Sequence, residues 1–288
     1  MNHKDFLVAE GATIRLADMD ADFTGNFANK EAALADLEQS KAKIAELQNI
    51  MYAQNVHALL VVFQAMDASG KDSTIKHVFS NVNPQGCYVA AFKQPSSEEL
   101  EHDFLWRTSK QLPERGKIGI FSRSHYEEVL VVRVHPEILQ SQPIPENEKR
   151  DPKIWENRFE DIRNFERYLA RNGTHVLKFF LNISKDEQKT QLMERIEDPS
   201  KHWKFAFGDM KERALWDKYM HAYEEMFAAT STPEAPWYVI PGNKRWFTRA
   251  TIARIVAEKL ESLNLRFPEV TEKQRQEIAE AKRILENE

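Results

Sequence analysis

The sequence predicts an α/β fold built on a five-stranded parallel sheet with helices on both faces. Five short runs rich in β-branched and aromatic residues alternate with helical patterns, which indicates βαβ units with parallel, doubly buried strands. The predicted strands are residues 59–63, 87–92, 118–121, 176–183 and 237–240. No linker rich in glycine or serine divides the chain, so a single domain (1–288) is expected. Residues 1–28 show little periodicity and are expected to form an arm that packs on this domain or on a neighbour.

The segments between the strands predict mainly helices. A long helix is expected at 29–54, because apolar residues such as Leu37, Ile44 and Met51 recur there at helical spacing. Residues 124–134 are also predicted to be helical, although their V-L-V-V run is compatible with a strand. The remaining helices are expected at 97–112, 155–172, 245–263 and 271–287.

Composition and charge exclude several classes of function. The net charge of −5 gives no support to a general nucleic-acid-binding role. No apolar stretch approaches the roughly 20 residues that a membrane span needs, and the N-terminus has no apolar signal core. The single cysteine, Cys87, excludes an internal disulfide and is typical of a reducing compartment. A cytoplasmic protein that binds neither nucleic acid nor membrane is therefore expected.

The stretch L-L-V-V-F-Q-A-M-D-A-S-G-K-D-S-T-I, residues 59–75, predicts a strand, a phosphate-binding loop and a helix. Unpaired N–H groups and the helix dipole attract anions to a helix N-terminus; Gly70 lets the backbone close around a phosphate, and Lys71 adds a full charge. The match to G-x-x-x-x-G-K-[ST] is imperfect, because Ala65 replaces the first glycine and Asp72 follows the lysine. An ordinary strand-to-helix turn that contains Gly-Lys is the alternative.

Asp67 and the hydroxyl residues of the same loop suggest a metal ion. A carboxylate in an anion-binding loop makes sense if a magnesium ion lies between it and the phosphates. Ser73 or Thr74 could support such a hydrated ion. The loop therefore predicts magnesium as the cofactor, held at Asp67.

Polar residues also follow the other predicted strands. Ligands bind at the carboxyl ends of the strands in parallel sheets, so these residues are expected to lie near one another. They are Lys93, Gln94 and Pro95 after the second strand, and Ser122, Arg123, Ser124, His125, Tyr126, Glu127 and Glu128 after the third. For Arg123, a phosphate contact is favoured over a structural ion pair. Ser122 stands where an aspartate usually holds magnesium; Glu127 or Glu128 could supply that charge, or could form a solvated helix face.

Positive charge concentrates in a helical insertion at about 184–230, between the last two strands. Its basic residues include Lys185, Lys189, Arg195, Lys201, His202, Lys204, Lys211 and Arg213. A lid that carries arginine and lysine over a phosphate loop neutralises a transferring phosphoryl group and excludes water. The alternative is a solvated charged helix, but the position between two strands of the sheet favours a lid.

These segments together resemble the polyphosphate kinase 2 family over roughly residues 6–267. The matching segments are A-M-D-A-S-G-K-D-S-T (65–74), A-F-K-Q-P-S-S-E-E-L-E-H-D-F-L-W-R (91–107), G-I-F-S-R-S-H-Y-E-E-V-L-V-V-R-V (119–134), S-K-D-E-Q (184–188), D-P-S-K-H-W-K-F (198–205), W-D-K-Y-M-H-A-Y-E-E-M (216–226) and A-P-W-Y-V-I-P (235–241). The resemblance implies a phosphate-loop kinase fold with a helical lid, similar to thymidylate kinase. It also implies reversible, magnesium-dependent phosphoryl transfer between inorganic polyphosphate and AMP, ADP or ATP. Guanine nucleotides are further candidates, and a homo-oligomer is the expected assembly.

The resemblance implies roles for individual residues as well. Asp67 would hold magnesium, Lys71 would contact the transferring phosphate, and Arg123 and Arg195 would contact phosphates in the transition state. The other expected phosphate-binding residues are Ala68, Ser69, Gly70, Asp72, Ser73 and Thr74 in the loop, with Lys201 and Lys204 along the polyphosphate path. The residues expected near the nucleotide are Lys93, Gln94, Pro95, Glu127, Glu128 and Arg133.

Ser122 departs from the family pattern. One subgroup, which phosphorylates ADP, has aspartate at this position. The subgroup most similar to this chain, through S-H-Y-E-E-V-L-V-V-R-V, usually has asparagine and accepts both AMP and ADP. The acceptor is therefore expected to be AMP, ADP or both. Two alternatives stay open: an ATP-dependent nucleotide kinase of the thymidylate-kinase type, and a non-catalytic polyphosphate-binding protein.

Overall fold

A five-stranded parallel sheet forms the centre of the protein, in the order β2-β3-β1-β4-β5. The computed structural model describes residues 3–25 and 27–288. The strands are β1 (Ala58–Ala65), β2 (Cys87–Ala91), β3 (Ile118–Ser122), β4 (Thr174–Asn182) and β5 (Trp237–Pro241). All four neighbouring pairs run parallel, and each strand lies within two residues of its predicted bounds. The predicted fold class is thus confirmed, with β1 in the middle of the sheet.

Helices account for most of the remaining chain. They are α1 (Lys30–Gln54), α2 (Lys71–Val78), α3 (Ser97–Leu100), α4 (Trp106–Ser109), α5 (Val131–Val134), α6 (Pro136–Ser141), α7 (Glu146–Lys149), α8 (Ile154–Arg171), α9 (Lys185–Glu197), α10 (Gly208–Ala214), α11 (Trp216–Thr230), α12 (Arg245–Ser262) and α13 (Glu272–Glu286). Short 3-10 turns occur at His3–Phe6, Leu16–Asp18, Pro84–Gly86, His125–Val129 and Pro199–Lys204.

Both faces of the sheet are buried, as its continuous apolar runs predict. Along β1, Leu59, Val61 and Phe63 belong to one core, and Leu60 and Val62 belong to the other. Helices α1, α2 and α12 contribute to the first core, and α8 and α11 to the second. Successive side chains of a strand point to opposite faces, so the central strand joins both cores and holds the loop that follows it.

Two predicted helices differ from the structure. Residues 97–112 do not form one helix, because α3 ends at Leu100 and the Asp103 side chain accepts a hydrogen bond from the Leu105 backbone N–H (2.9 Å). A short acidic side chain that binds a nearby N–H competes with helix continuation. Residues 124–134 begin as a 3-10 turn and continue as α5. This helix ends at Val134, two residues before Pro136. The V-L-V-V run is therefore not a strand.

The described part of the N-terminal arm packs against its own sheet. Leu7 forms an antiparallel bridge with Tyr238 of β5, and the Val8 N–H donates to the Trp237 carbonyl (2.9 Å). The Ser231 hydroxyl donates to the Val8 carbonyl (2.6 Å). Residues 1, 2 and 26 of the predicted arm lie outside the described residues.

The C-terminal helix α13 begins with a capping box at Thr271 and Gln274, and none of its residues is buried. Over the described ranges, no helix is both long enough and apolar enough to cross a bilayer. Cys87 is a free thiol at the start of β2.

Candidate active site

The loop between β1 and α2 closes tightly at the carboxyl end of the central strand. Ala68 and Gly70 adopt left-handed backbone conformations, with φ of 63° and 83°. The Ser69 N–H turns back to the Met66 carbonyl (3.3 Å), and Gly70 is the N-cap of α2. Alternating right- and left-handed residues make successive N–H groups converge, and the positive end of α2 lies behind them. This backbone geometry is suited to an anion.

Lys71 extends from this loop to the end of β3. Its Nζ donates to Ser122 Oγ (2.5 Å) and lies 3.3 Å from Asp72 Oδ1. The Ser122 hydroxyl in turn donates to Asp72 Oδ1 (3.0 Å). Burial lowers the pKa of the Lys71 ammonium, whereas the neighbouring Asp72 carboxylate opposes that shift. A carboxylate, that of Asp72, therefore lies beside Ser122, a contact that the sequence analysis did not predict.

Arg123 and Asp67 meet across the same loop. Arg123 Nη2 donates to Asp67 Oδ1 at 2.8 Å, and both side chains are partly exposed. Burial tends to lower the pKa of Arg123, but the negative charges of Glu127 and Asp67 raise it overall. Arg123 has φ of 64°, a conformation that costs a non-glycine residue free energy and that clusters at functional sites. This strained backbone directs the guanidinium to the loop.

Glu127 and Glu128 are adjacent in the chain but lie in different surroundings. Burial raises the pKa of Glu127, while the positive charges of Arg123 and Lys71 act in the opposite sense, so Glu127 faces the loop. Glu128 instead forms an ion pair with Arg158 and accepts a hydrogen bond from Gln142 Nε2 (2.8 Å). Glu127 therefore lies near the phosphate loop, and Glu128 lies at a neighbouring cavity.

That cavity has a volume of about 350 Å³ and lies between the segments that follow β2 and β3. Pro95 and Glu128 of the expected nucleotide set line it, together with Phe104, Arg107 and Arg158. Burial lowers the pKa of the Arg158 guanidinium to about 10. Apolar and charged groups combined in one concave site are typical of small-molecule binding.

The other members of the expected nucleotide set lie around this cavity or apart from it. The Lys93 carbonyl accepts a hydrogen bond from Arg107 Nη1 (2.8 Å), and the side chains of Lys93 and Gln94 are exposed. Arg133 does not line the cavity; it forms an ion pair with Glu225, and its guanidinium lies 5.6 Å from the centre of the Trp155 ring.

The insertion between β4 and β5 contributes a second arginine. Arg195 near the end of α9 pairs with Asp209 of α10 at 2.9 Å. Burial and the charge of Asp67 raise the pKa of Asp209, so the Arg195–Asp209 pair is coupled electrostatically to the loop. Gln188 Nε2, also on α9, donates to the Asp67 carbonyl (3.0 Å). The insertion thus contacts the phosphate loop directly.

The two lysines expected along the polyphosphate path are engaged within the insertion itself. Lys201 forms ion pairs with Glu194 and with Asp198, the latter at 3.3 Å. Lys204 Nζ lies 4.9 Å from the centre of the Trp203 ring. Neither contact directs these ammonium groups to the loop.

The amino-acid sequence matches the family model of Polyphosphate kinase 2 (PPK2) over residues 27–268, which is most of the chain. The chain belongs to the polyphosphate kinase 2 family.

Individual relatives agree with this assignment. The polyphosphate kinase 2 chain is 46% identical to an ADP-polyphosphate phosphotransferase of Rhodopseudomonas palustris, with 98% of each sequence covered. It is also 46% identical to an AMP/ADP-polyphosphate phosphotransferase of Meiothermus ruber, covering 92% of this chain and 96% of the relative. The fold matches the crystal structure of Polyphosphate Kinase 2 from Arthrobacter aurescens TC1 with a TM-score of 0.84 and 38% identity, over 95% of this chain and 98% of that one. The family resemblance and the phosphate-loop kinase fold are confirmed.

The oxygen donors of this polyphosphate kinase 2 loop fit a magnesium ion. The described residues contain no group of three or more histidine, cysteine or carboxylate side chains that could enclose a metal. Magnesium is commonly held by one or two carboxylates together with waters and substrate phosphates. Asp67 is partly exposed, and among the described residues its carboxylate is engaged through Oδ1, by Arg123. Asp67 would hold the ion, and its charge also acts on two further carboxylates, Glu127 and Asp209.

Sequence reasoning missed two arginines of α12. Arg249 Nη2 donates to Ser73 Oγ at 2.9 Å, and Arg245 lies over Gly70. Both follow the carboxyl end of β5, so the strand-end rule that selected Arg123 could have found them.

Proposed function

We propose that this polyphosphate kinase 2 protein transfers a phosphoryl group between inorganic polyphosphate and a nucleoside mono- or diphosphate, reversibly and with magnesium. Family membership supports the reaction class. The observation that carries the assignment of the site is the meeting of Asp67, Lys71 and Arg123 around one anion-binding loop, beside the 350 Å³ cavity.

The mechanism follows from charge. An oxygen of the acceptor's terminal phosphate attacks the terminal phosphorus of polyphosphate, and the bond to the next bridging oxygen breaks, which leaves a chain one phosphate shorter. Both reactants are anions, so Lys71 and Arg123 offset their repulsion and hold them in line. Asp67 would hold a magnesium ion, which would neutralise further phosphate charge. The attacking phosphate is already ionised near pH 7, so neither a protein nucleophile nor a general base is required.

The cavity lined by Pro95 and Glu128 suits the nucleoside of the acceptor. Its lining includes Ser124, the residue that follows Arg123, so a nucleoside there would present its phosphates to the loop. Glu128 and Gln142 offer hydrogen-bond acceptors and donors, while Phe104 offers an apolar surface. Because one close relative is named for AMP and ADP and the other for ADP alone, we propose that both nucleotides are accepted.

The insertion at 184–230 acts as a lid of a single kinase domain. Arg195 is held by Asp209 in this structure, and α9 contacts the loop through Gln188. Arrival of phosphate at the loop would offer Arg195 a second anionic partner, and closure would exclude water from the transferring group.

The proposed reaction is tested by supplying AMP or ADP with long-chain polyphosphate and magnesium, and by measuring ADP and ATP formation. We expect product from both nucleotides, because the cavity would hold the nucleoside, which AMP and ADP share. The number of phosphates, in which they differ, would not affect binding there. Product from one nucleotide alone would restrict the acceptor but keep the reaction. No product with polyphosphate, combined with turnover when ATP is the donor, would indicate an ATP-dependent nucleotide kinase. Salt-dependent polyphosphate binding without any turnover would indicate a non-catalytic binding protein.

A further inference from the structure

Two arginines of α12 border the phosphate loop on the side away from the nucleoside cavity. Arg245 and Arg249 lie one helical turn apart, directly after the β5 end of the sheet. A Cβ atom built on Gly70 would lie 3.4 Å from Arg245 Nε, so this guanidinium rests on the N-cap of α2. Arg249 Nη2 donates to Ser73 Oγ in the first turn of α2 (2.9 Å). The cavity, by contrast, is formed by segments that follow β2 and β3, at the other half of the sheet.

In the part of the chain that the structure describes, neither of these positive charges has a carboxylate at ion-pair distance. Among the described residues, no carboxylate forms an ion pair with either arginine; Arg245 donates to the neutral amide of Gln191, and Arg249 to a hydroxyl. The Nε of Arg249 is buried without a hydrogen-bond partner in the described structure. The next arginine of the helix, Arg254, is paired with Asp36. Like charges one turn apart repel each other, so the pair favours an anion that binds between or beside both groups.

Burial and the adjacent positive charge of Arg245 both lower the pKa of Arg249, and the described carboxylate whose pKa Arg245 lowers is Glu194, which already pairs with Lys201. A ligand that carries several negative charges in a row would relieve this repulsion. An inorganic polyphosphate has that property, since each phosphate of the chain carries charge. Arginine is also well suited to bidentate phosphate recognition.

We propose that Arg245 and Arg249 bind the phosphates of the donor chain that follow the transferring one, so that polyphosphate leaves the loop along α12. This inference rests on the proposed function, because it assigns the path of its donor. Lys201 and Lys204, the residues expected along the path, are engaged by Glu194, Asp198 and the Trp203 ring. The α12 pair, in contrast, has no carboxylate at ion-pair distance among the described residues, and it contacts Gly70 and Ser73.

The test compares the polyphosphate KM of wild type with that of Arg249→Gln and Arg245→Gln. We expect each substitution to raise the KM for long-chain polyphosphate about tenfold, the effect of losing one charge-assisted hydrogen bond. The KM for ADP at saturating polyphosphate should change less than about twofold, since the acceptor binds elsewhere. The dependence of log KM on log salt should also become shallower, because fewer counterions are released per bound chain.

Lys244→Gln is the matched control. It removes the same charge from the adjacent position, but Lys244 is exposed and pairs with Asp22 (2.9 Å), so its polyphosphate KM should stay near wild type. Lys201→Gln tests the competing path along the lid. A raised polyphosphate KM in Lys201→Gln, with wild-type values in both α12 variants, would overturn the inference. A fall in kcat without a change in polyphosphate KM would overturn it too.

Two further measurements keep the outcomes separate. Thermal unfolding shows whether Arg249→Gln folds; if it does not, Arg245→Gln, which loses the hydrogen bond to Gln191, carries the test. Direct binding of polyphosphate without nucleotide tests the path even if no ATP forms. Weak binding in the α12 variants together with an inactive wild type would support this path and refute the proposed reaction.

Discussion

Replacement of Lys71 by alanine is expected to lower kcat for ATP formation from polyphosphate and ADP by about a thousandfold, with the fold intact. The Lys71 ammonium is the full positive charge carried by the loop itself, and it reaches Ser122 at the end of β3. Its removal leaves the repulsion between two phosphate groups uncompensated at the position of transfer. The loss should therefore fall on kcat more than on the KM for ADP.

The control for this substitution is Lys76→Ala, which removes an exposed lysine from the same helix. Its activity should remain near that of wild type, and both variants should unfold at nearly the wild-type temperature. Near-normal turnover in Lys71→Ala would remove the loop from the mechanism. Equal losses in the two variants would point to an effect on helix α2 and not on the reacting phosphates.

Replacement of Glu166 by alanine is expected to destabilise the protein by about 3–5 kcal/mol, which corresponds to a fall in Tm of roughly 10 °C. Lys178 in the middle of β4 is fully buried, and its Nζ donates to Glu166 Oε2 (2.6 Å), Tyr126 Oη (2.8 Å) and the Thr230 carbonyl (2.8 Å). The Tyr126 hydroxyl donates to Glu166 Oε1 (2.8 Å). Glu166→Ala leaves a buried ammonium without its anion.

The matched control is the double variant Glu166→Leu with Lys178→Met, which removes both charges and fills the space with apolar atoms. It should be more stable than Glu166→Ala, because no unpaired charge remains in the core. Thermal and urea unfolding measure both. A double variant that is less stable than the single variant would show that packing shape, and not the unpaired charge, dominates this cluster. Tyr126 belongs to the turn that carries Glu127 and Glu128, so activity should fall with stability.

The strands and the phosphate loop could be predicted because their signals are local. A run such as Leu59–Phe63 has few alternatives to a doubly buried strand, and Gly70 with Lys71 follows at the length that a phosphate loop needs. The segment 97–112 could not be predicted as two short helices, since the competing hydrogen bond of Asp103 depends on a turn that periodicity does not reveal.

The parts of the site that escaped prediction depend on contacts between distant segments. Asp72 meets Ser122 only because β1 and β3 are neighbours in the sheet. In the sequence the two residues are 50 positions apart. Arg249 reaches Ser73 across 176 positions. The charges of Lys201 and Lys204 were visible in the sequence, but their local partners were decided by the folding of the insertion.

The central inference is that polyphosphate and nucleotide meet at the loop formed by Asp67, Lys71 and Arg123. A crystal structure of the protein with ADP, polyphosphate and Mn²⁺ in place of Mg²⁺ tests it most directly, because manganese gives an anomalous signal. We expect a manganese peak within coordination distance of a carboxylate oxygen of Asp67, with a phosphate on the loop N–H groups. Polyphosphate bound only along Lys201 and Lys204, with the metal away from Asp67, would contradict it.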